Sequence, residues 1–486
     1  MVFPILGSGS QAVSYDIEKS LRFDGVDARF VGQTSSGDPF ESAGNRQTWT
    51  CSFWIKFSKV TTTQHFLNAG IGSTYTDFYI HHSGTAGNQK LFFYAESSGS
   101  QATDLETTRY FRDPFAWYHL VLAVDTTQGT ASNRVKIYVN GVQETAWNDE
   151  SYPSQNYSYE VNNNVEHHIG PYQSNGSNFQ SYFDGYMSDF YLIDGTQYAA
   201  SDFGEFDNDS AIWKPKEFTG TFGAKGVFLE FKQTGSNANA SGRGADTSGN
   251  GNHLGFAGHD NASVHTTDTP TNNFCTLNPI AVPDNLSDYT SRIAEGALEL
   301  SSSTVADSFE YMGTMPTNMK YYFECKLSTV YDNNGDQRVG IVSVDKSSGS
   351  TSGTGAGAGA IYGGTGSISS YNRAGGAVAS TLTGKTTFAD GQIIGVAVDN
   401  TTNNDVKFYN NGVLQGTIDI VSTELYMPYF RCMGAGGQTN EWHTNFGNPP
   451  WVLSSGNTDA NGYGNFEYEP PSGYYALCTK NLAEYG

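Results

Sequence analysis

Aromatic side chains interleaved with amides and hydroxyls are the residues of this chain with the clearest potential to bind a ligand. The stretch 147–159 reads Trp-Asn-Asp-Glu-Ser-Tyr-Pro-Ser-Gln-Asn-Tyr-Ser-Tyr. Tyr and Trp offer a large contact area at a small entropic cost, and Asn, Ser and Gln offer adaptable hydrogen bonds. We interpret such segments as sugar-binding loops, with packing of the rings against a neighbouring subunit as the alternative. The candidate glycan-binding residues are Trp147, Tyr152, Tyr157, Tyr159, Tyr371, Arg373 and Trp442.

Acidic residues beside glycine form a second candidate group. Asp24 and Asp27 lie in the segment Phe-Asp-Gly-Val-Asp, and Asp184 and Asp189 lie in a matching Phe-Asp-Gly segment. Ca²⁺ prefers several oxygen ligands from carboxylates, amides and carbonyls. These four aspartates are therefore candidate calcium ligands. The alternative is that Asp-Gly forms a local turn which the aspartate caps. The loop 246–252 has a similar oxygen spacing but lacks a final bidentate glutamate.

Catalytic residues are not expected. Jelly-roll glycosidases place their carboxylates at alternate positions of one strand, where they share a face. The nearest approach in this sequence is the acidic run 205–209, whose polar flanks predict a solvated loop. The pairs His81-His82 and His167-His168 alternate faces in a strand and cannot simply chelate one ion. We therefore expect a protein that is not an enzyme.

The charge and the chain's first residues exclude further classes. The 49 acidic and 26 basic residues give a net charge of −23, which repels phosphate backbones and argues against a nucleic-acid partner. The sequence has no apolar run of about 18 residues, so membrane insertion is not expected. The start lacks the basic segment of a signal peptide, which predicts synthesis in a cytosol without export by that route. The five scattered cysteines contain no C-x-x-C pair and are expected to be buried free thiols.

The elements that must position these residues are strands. Period-two alternation recurs throughout and helical periodicity is almost absent. In the segment 135–139, Val135, Ile137 and Val139 are expected to share one face of a strand, and Asn140-Gly141 supplies the positive φ angles of a tight hairpin. The same order of strand, polar turn and Asn-Gly hairpin returns over 397–413, which predicts two sandwiches of related design.

The domain prediction is an all-β chain of two tandem antiparallel jelly-roll β-sandwiches. Its parts are an N-terminal arm at 1–17, a sandwich at 18–262, a linker at 263–285 and a second sandwich at 286–486. The Gly/Ser/Ala-rich stretch 347–370 is expected to be a long surface loop of the second sandwich. The apolar arm is too short to fold alone and is expected to dock onto another copy of the chain.

Both predicted sandwiches resemble known families. The first resembles the laminin-G-like, concanavalin A-like jelly rolls through the following segments: Ser20–Asp27, Thr48–Lys56, Trp117–Val124, Val135–Gly141, Phe183–Phe190 and Asp246–His253. The second is similar to SPRY-type sandwiches through Tyr321–Cys325, Ile393–Asp399, Val406–Gly416 and Trp442–Gly447. The two resemblances cover about residues 18–262 and 290–486.

The tandem arrangement resembles structural proteins of tailed phages of aquatic bacteria. The segments that carry this resemblance are the junction 267–279 and the closing stretch 473–482. It implies a non-enzymatic virion surface protein, such as a tail fibre, a tip or a decoration subunit, that assembles in the host cytoplasm. Its expected partners are other virion proteins, copies of itself and a host glycan. An architectural decoration protein without ligand and a polysaccharide depolymerase stay open as alternatives.

Overall fold

The structure is a computed structural model, and it describes ten stretches of the chain. These are residues 15–84, 88–258, 264–279, 293–302, 309–315, 319–330, 337–344, 357–372, 378–432 and 439–485. Two sequence predictions, the docking arm Val2–Leu6 and the glycan-binding role of Arg373, lie outside the described residues.

The N-terminal sandwich is built from short strands joined by turns. Its strands are β1 Ser20–Asp24, β2 Arg29–Gly32, β3 Thr48–Phe57, β4 Gln64–Ile71, β5 Thr74–His82, β6 Gln89–Ser97, β7 Ser100–Thr107, β8 Trp117–Asp125, β9 Val135–Val139, β10 Val142–Gln143, β11 Trp147–Ser151, β12 His167–Ile169, β13 Tyr172–Asn175, β14 Asn178–Gln180, β15 Asp184–Asp194, β16 Gly204–Phe206, β17 Trp213–Pro215, β18 Val227–Leu229, β19 Gly255–Ala257 and β20 His265–Thr266. The helix α1, Ala131–Arg134, and a 3₁₀ turn, Ala200–Asp202, interrupt them.

Two antiparallel eight-stranded sheets enclose the first core. The front sheet has the order β11-β7-β6-β5-β4-β12-β2-β19. The back sheet has the order β10-β9-β8-β3-β15-β1-β20, with β18 paired to β15. Alternate residues of both sheets, among them Phe53, Phe78 and Leu122, point inward and form one apolar cluster. The prediction of an all-β sandwich is confirmed.

The hairpin predicted at Asn140-Gly141 is present. The two residues have φ angles of 48° and 79°, and Val139 pairs with Val142 across the two-residue turn. Val135 and Ile137 of β9 face the core with Val139, as their alternation predicts. Positive φ at both central positions gives the turn the twist of the strands it joins, so the Asn-Gly pair fixes the register of β9 and β10.

The C-terminal sandwich repeats this design with an eight-stranded and a six-stranded sheet. Its elements are β21 Ile293–Ala294, β22 Glu299–Ser302, β23 Phe309–Met312, β24 Lys320–Thr329, β25 Arg338–Ser343, β26 Gly359–Gly363, β27 Ser367–Tyr371, β28 Val378–Leu382, β29 Ile393–Asp399, β30 Asp405–Asn410, β31 Val413–Asp419, β32 Tyr426–Cys432, β33 Asn440–Asn445, β34 Tyr475–Ala476 and the helix α2 Thr479–Tyr485. One sheet has the order β21-β22-β33-β24-β29-β30-β31 and the other has the order β23-β32-β25-β26-β27-β28. The strands pair antiparallel except β34, which lies parallel to β24.

The stretch 347–370 differs from the predicted surface loop. Its described part contains β26, whose five residues are all buried, and most of β27. Small residues in β26 allow close packing, because a Cβ at Gly359 would lie 2.4 Å from the carbonyl oxygen of Ile341. In the described part of this stretch, the low side-chain volume therefore reflects a crowded strand in the middle of the six-stranded sheet.

The predicted linker contributes to both sandwiches. β20 pairs with β1 in the back sheet, whereas Cys275 and Leu277 lie in the core of the C-terminal sandwich. Between them Asp268 accepts a hydrogen bond of 2.8 Å from Lys56 Nζ, and both side chains are buried. Tyr186 of β15 also donates a hydrogen bond of 2.7 Å to the carbonyl oxygen of Gly296. The C-terminal sandwich therefore covers part of the outer face of the back sheet.

The five cysteines are all buried and free, as predicted. Burial raises the pKa of the Cys51 and Cys325 thiols well above the ordinary value. No helix in the described part of the chain combines the length and apolar character needed to cross a membrane.

Candidate functional site

Aromatic and acidic side chains lie together on the outer face of the front sheet, on the three adjacent strands β5, β6 and β7. Phe78 and Ile80 of β5 and Leu91, Phe93 and Leu105 of β6 and β7 point into the core. Because successive side chains of a strand alternate, the residues between them point outward. We call this outward set the aromatic face. It consists of Tyr75, Asp77, Tyr79, Phe92, Tyr94, Glu96, Asp104 and Glu106.

Strand register arranges the aromatic face in rows that run across the sheet. Tyr94 of β6 pairs with Asp77 of β5 on one side and with Asp104 of β7 on the other. In the neighbouring row, Phe92 pairs with Tyr79 and Glu106 in the same way. The first row therefore places a ring between two carboxyl groups, and the second row places two neighbouring rings beside one carboxyl group. Directly opposed side chains in a sheet lie close enough to interact.

Contacts between rings hold these side chains in place. The Tyr79 and Phe92 rings stack with centroids 5.1 Å apart. The Tyr75 ring lies 5.9 Å from the Tyr94 ring and 5.6 Å, edge-on, from the Tyr172 ring. All five rings are half-buried, so each has one side packed and another open to solvent. The result is a preorganised aromatic surface.

Two buried titratable groups lie beneath the rings. Asp77 Oδ1 accepts a hydrogen bond of 2.6 Å from Asn68 Nδ2 and lies 3.9 Å from His65 Nδ1. This separation would suit an ion pair, but burial raises the pKa of Asp77 to about 8 and lowers the pKa of His65 to about 3. Desolvation thus outweighs the mutual attraction, and both groups are mainly neutral at pH 7.

Carboxylates and amides border the rings. Glu106 accepts a hydrogen bond of 2.9 Å from Lys90 Nζ and another from the amide of Asn148. Burial and then the charges of Asp149 and Glu106 raise the pKa of Asp104. The border therefore offers hydrogen-bond acceptors at fixed positions beside apolar ring surfaces.

The predicted loop 147–159 lies at the edge of the same sheet. β11 pairs with β7, so Trp147 lies opposite Thr107 at the edge of the front sheet. Trp147, Tyr152 and Tyr157 are half-buried and pack against the first core. They flank the aromatic face without forming its centre.

Tyr159 and Trp442 do not fit the predicted contact with a glycan. Both are fully buried, with an exposed fraction of 0%. Tyr159 packs edge-on against Trp49 at 5.8 Å, and its hydroxyl forms a hydrogen bond of 2.7 Å with Thr103 Oγ1. Trp442 lies in the second core and contacts Phe388. Each ring completes a core: Trp442 because it occupies an inward position of β33, and Tyr159 because the loop between β11 and β12 places its ring against the first core.

Tyr371 is half-buried at the end of β27. It packs against a small cluster of Val342, Ile361 and Tyr429 on the outer side of the six-stranded sheet. This position belongs to the C-terminal sandwich, so Tyr371 does not join the aromatic face.

The predicted calcium residues divide between two places. Asp24 Oδ1 accepts backbone N–H groups of Val26, Asp27 and Ala28 at 2.9, 3.1 and 3.2 Å, which is the local turn given as the alternative. Burial raises the pKa of Asp24, but these hydrogen bonds outweigh it and lower the pKa overall. Asp27 is exposed beside this turn.

Asp184 and Asp189 are both buried on β15. Asp184 pairs with Asp24 across the sheet, whereas Asp189 accepts a hydrogen bond of 2.8 Å from the Tyr15 hydroxyl. Burial raises the pKa of each to about 7. Five positions along a strand correspond to roughly 16 Å. In the described part of the chain these four aspartates do not bring three ligand atoms within 4.8 Å of one another.

The loop 246–252 uses its oxygen atoms internally. Asp246 accepts hydrogen bonds from the backbone N–H groups of Phe228, Ser248 and Asn252, each within 2.9 Å. The acidic run 205–209 lies on the hairpin β16–β17, where Lys214 forms ion pairs with Glu205 and Asp207 at 3.5 and 3.2 Å. Both segments have structural partners of their own.

The two histidine pairs differ in burial. His167 and His168 lie in β12, an inner strand of the front sheet, and both are buried. The His167 ring stacks on Phe40 with centroids 3.6 Å apart. His81 is exposed on β5, next to the half-buried His82.

The sequence contained a signal for the aromatic face. Tyr75, Asp77, Tyr79 and His81 follow a period of two, as do Phe92, Tyr94 and Glu96 in the neighbouring strand. The signal is weak because the residues between them, such as Phe78 and Phe93, are also aromatic. Both faces of these strands therefore look alike until the packing of the sandwich is known.

A polar cavity of about 270 Å³ lies where the two sandwiches meet. Lys19, His265 and Thr267 line it from one side, and Asn448 and Trp451 line it from the other. Burial lowers the pKa of His265 to about 4, so its ring is neutral at pH 7. The cavity has room for a small polar molecule beside the junction.

Comparison with known families agrees with this architecture. Residues 33–199 match the laminin G type model of the concanavalin A-like lectin/glucanases superfamily, and residues 320–449 match the SPRY domain model. The chain therefore contains a concanavalin A-like domain followed by a SPRY domain.

Several solved structures are similar to parts of the chain at low identity and with low TM-scores. Domains LG4-5 of the mouse laminin alpha1 chain share 9% identity over 91% of each chain, with a TM-score of 0.30. The CBM40 domain of the Ruminococcus gnavus IT-sialidase, bound to alpha2,3 sialyllactose, shares 14% over 36% of this chain and 90% of that chain, with a TM-score of 0.25. The SPRY domain of human HERC1 shares 13% over 30% and 87%, with a TM-score of 0.23. No curated protein sequence matches the chain.

Proposed function

We propose that the aromatic face binds a carbohydrate chain. The observation that carries this proposal is the set of half-exposed rings, Tyr75, Tyr79, Phe92 and Tyr94, which lie beside carboxyl groups on strands β5 to β7. A sugar ring has an apolar C–H surface and a rim of hydroxyl groups. The aromatic rings can pack against the C–H surface, and the carboxylates can accept hydrogen bonds from the hydroxyl groups.

The preorganisation of the face favours binding. The ring contacts hold the side chains before a ligand arrives, so little side-chain entropy is lost on binding. Hydrogen bonds from sugar hydroxyls to an ionised carboxylate are stronger than those to a neutral acceptor. Glu106 is 7% exposed and is held in a fixed orientation by Lys90 and Asn148, so a sugar hydroxyl would have to reach the exposed part of its carboxylate.

The location of the face also supports the proposal. The outer side of the back sheet is occupied at Lys56 and Tyr186, which contact the junction and the C-terminal sandwich. The aromatic face lies on the opposite sheet and keeps its rings half-exposed. The superfamily that residues 33–199 match comprises both lectins and glucanases, which agrees with a carbohydrate ligand.

We further propose that the protein is a non-enzymatic surface component of a tailed phage particle, assembled in the host cytoplasm. The support is the tandem resemblance of the sequence, together with a net charge of −23, which favours solubility on a particle surface. In this role the aromatic face contacts a host glycan, and other surfaces contact virion proteins and copies of the chain. An architectural decoration protein without ligand is the alternative.

A polysaccharide depolymerase is the second candidate, and one observation favours it. Asp104 and Glu106 occupy alternate positions of β7 and share a face, the arrangement of catalytic carboxylates in glycosidases of this architecture. The raised pKa values of Asp77 and Asp104 suit a proton donor. Glu106 is engaged by Lys90 at 2.9 Å, which favours a binding role over a catalytic one.

A glycan array with the purified chain tests the proposal. We expect binding to a subset of glycans, and Tyr94→Ala should raise the Kd about five- to tenfold, since one aromatic contact contributes about 1 kcal/mol. Tyr485→Ala is the matched control, because this tyrosine is 36% exposed on α2 of the other domain. A blank array, or equal losses in both variants, would refute the lectin hypothesis.

Two further measurements separate the alternatives. The first is an assay for reducing sugar ends released from a bound polysaccharide. Release that Glu106→Gln abolishes would refute the lectin hypothesis and support the depolymerase hypothesis. Labelling the subunit in images of the virion tests the phage proposal, because a protein absent from particles cannot have that role.

A further inference from the structure

Three potential metal ligands converge on the outer side of the eight-stranded sheet of the C-terminal sandwich. Glu299 of β22 pairs directly with His443 of β33, and Glu441 lies two positions before His443 on the same strand. Trp442, between them, points into the core, so Glu441 and His443 point outward together. This cluster lies in the other domain from the aromatic face and plays no part in the proposed glycan site.

The distances suit a small cation. His443 Nε2 lies 3.2 Å from Glu299 Oε2 and 3.9 Å from Glu441 Oε1. One ligand atom from each residue lies within 4.8 Å of the other two. Ligand atoms at about 2.1 Å from a tetrahedral ion are about 3.4 Å apart. His443 and Glu299 already have this spacing. The Glu441 side chain is 41% exposed, so it can move the short distance that brings its carboxylate to the same spacing.

A neighbouring side chain fixes the orientation of the imidazole. Ser328 Oγ lies 2.6 Å from His443 Nδ1, on the side of the ring away from the carboxylates. When Nδ1–H donates to Ser328, Nε2 presents its lone pair towards Glu299 and Glu441. Hydrogen bonding of the second nitrogen is the usual way in which a metal-bound histidine is oriented.

The charge of the cluster favours a cation. Two carboxylates and an imidazole lone pair face one another, and among the described residues neither carboxylate forms an ion pair with Lys or Arg. Lys326, the strand neighbour of His443, instead places its Nζ 5.8 Å from the centre of the Trp451 ring. A metal ion between the three side chains would compensate the charge of the two carboxylates.

The donor set selects the kind of metal. Imidazole nitrogen suits first-row transition metals, whereas Ca²⁺ and Mg²⁺ prefer oxygen ligands alone. We propose that Glu299, Glu441 and His443 form a Zn²⁺ site. Three protein ligands of this type leave the fourth tetrahedral position of Zn²⁺ to water. The partial exposure of Glu441 gives the ion an entry path from solvent.

Metal binding to the full chain tests this proposal. The chain is stripped with chelator and titrated with ZnCl₂ by calorimetry, and we expect one specific site. Glu441→Gln should weaken binding at least tenfold, and His443→Ala should abolish it. His81→Ala is the matched control, because His81 is exposed on β5 of the other domain. Circular dichroism of each variant verifies that it is folded.

A spectroscopic readout locates the ion independently. The Trp451 and His443 rings are 6.4 Å apart, so Co²⁺ in the site should quench Trp451 fluorescence. Trp451→Phe should remove most of this quenching while Zn²⁺ affinity stays within twofold. Absence of Zn²⁺ binding would show that the cluster is not a metal site, and binding that survives in both Glu441→Gln and His443→Ala would place the ion elsewhere. Either result overturns the proposal.

Discussion

The buried ion pair at the junction gives the sharpest test of how the two sandwiches are held together. Asp268 accepts hydrogen bonds from Lys56 Nζ at 2.8 Å, Trp117 Nε1 at 3.2 Å, the Phe274 N–H at 3.3 Å and Asn448 Nδ2 at 3.4 Å. The Lys56 and Asp268 side chains are 1% and 0% exposed. The substitution Asp268→Asn keeps the shape of the side chain and removes its charge.

The expected loss follows from the charge that remains. In Asp268→Asn, the ammonium of Lys56 stays buried with two neutral acceptors, Asn273 Oδ1 at 2.7 Å and the Phe274 carbonyl oxygen at 2.9 Å. Removing one partner of a buried ion pair costs about 3–5 kcal/mol of unfolding free energy. Typical domains have only about 5–15 kcal/mol in total, so the variant should lose a large share of its stability.

Urea unfolding followed by tryptophan fluorescence measures this loss, since Trp117 contacts Asp268 directly. The double variant Lys56→Met/Asp268→Asn should be more stable than either single variant, because no unpaired charge stays buried. Glu18→Gln is the control: Glu18 and Lys232 form an exposed pair at 3.6 Å, and its loss should change stability by less than about 1 kcal/mol. If the two single losses simply add in the double variant, the ion-pair argument is wrong.

Three further predictions concern single side chains. Burial raises the pKa of Asp77 from 3.8 to about 8, so the folded protein retains a proton that the unfolded chain releases. The wild-type protein should therefore lose stability relative to the Asp77→Asn variant as the pH rises from about 4 to about 8, by up to ~1.4 kcal/mol per pH unit. If the unfolding free energies of the two proteins, measured in urea, change with pH in the same way, this prediction is contradicted. Tyr159→Phe leaves the Thr103 hydroxyl without its partner, so it should lower the free energy of thermal unfolding by about 1–2 kcal/mol while the affinity for glycan stays constant. Reduced affinity for glycan would show that Tyr159 belongs to the binding site. Gly141→Ala should lower the melting temperature, because its φ is 79° and the new Cβ would lie 2.3 Å from the Trp213 ring; an unchanged melting temperature would show that the turn tolerates a side chain.

Local chemistry explains which parts of the fold the sequence predicts. The turn Asn140-Gly141 and the inward positions Val135 and Ile137 follow from residues within one hairpin, and both are confirmed. The strand β26 was predicted as loop, because a strand built from Gly, Ala and Ile resembles a linker when its neighbours are unknown. Its burial comes from β25 and β27, which pack against it.

The candidate site was harder to predict because its members are distant in sequence. Tyr75, Tyr94 and Asp104 come together only through the register of three strands, which no local pattern specifies. Tyr159 and Trp442 show the reverse case: their types suit sugar binding, yet each faces a core. Residue type predicts what a side chain can do, and strand register decides whether a ligand can reach it.

The buried cysteines have a consequence for the environments in which the fold can persist. No disulfide joins any of the five thiols, so folding requires no oxidant, and the protein can mature in a reducing compartment. Burial raises the pKa of thiols such as Cys51 and Cys325, which keeps the reactive thiolate scarce. Peroxide and alkylating reagents therefore find few accessible thiol targets. The same folded chain can pass from a reducing cell interior to aerated water without gaining or losing a covalent cross-link.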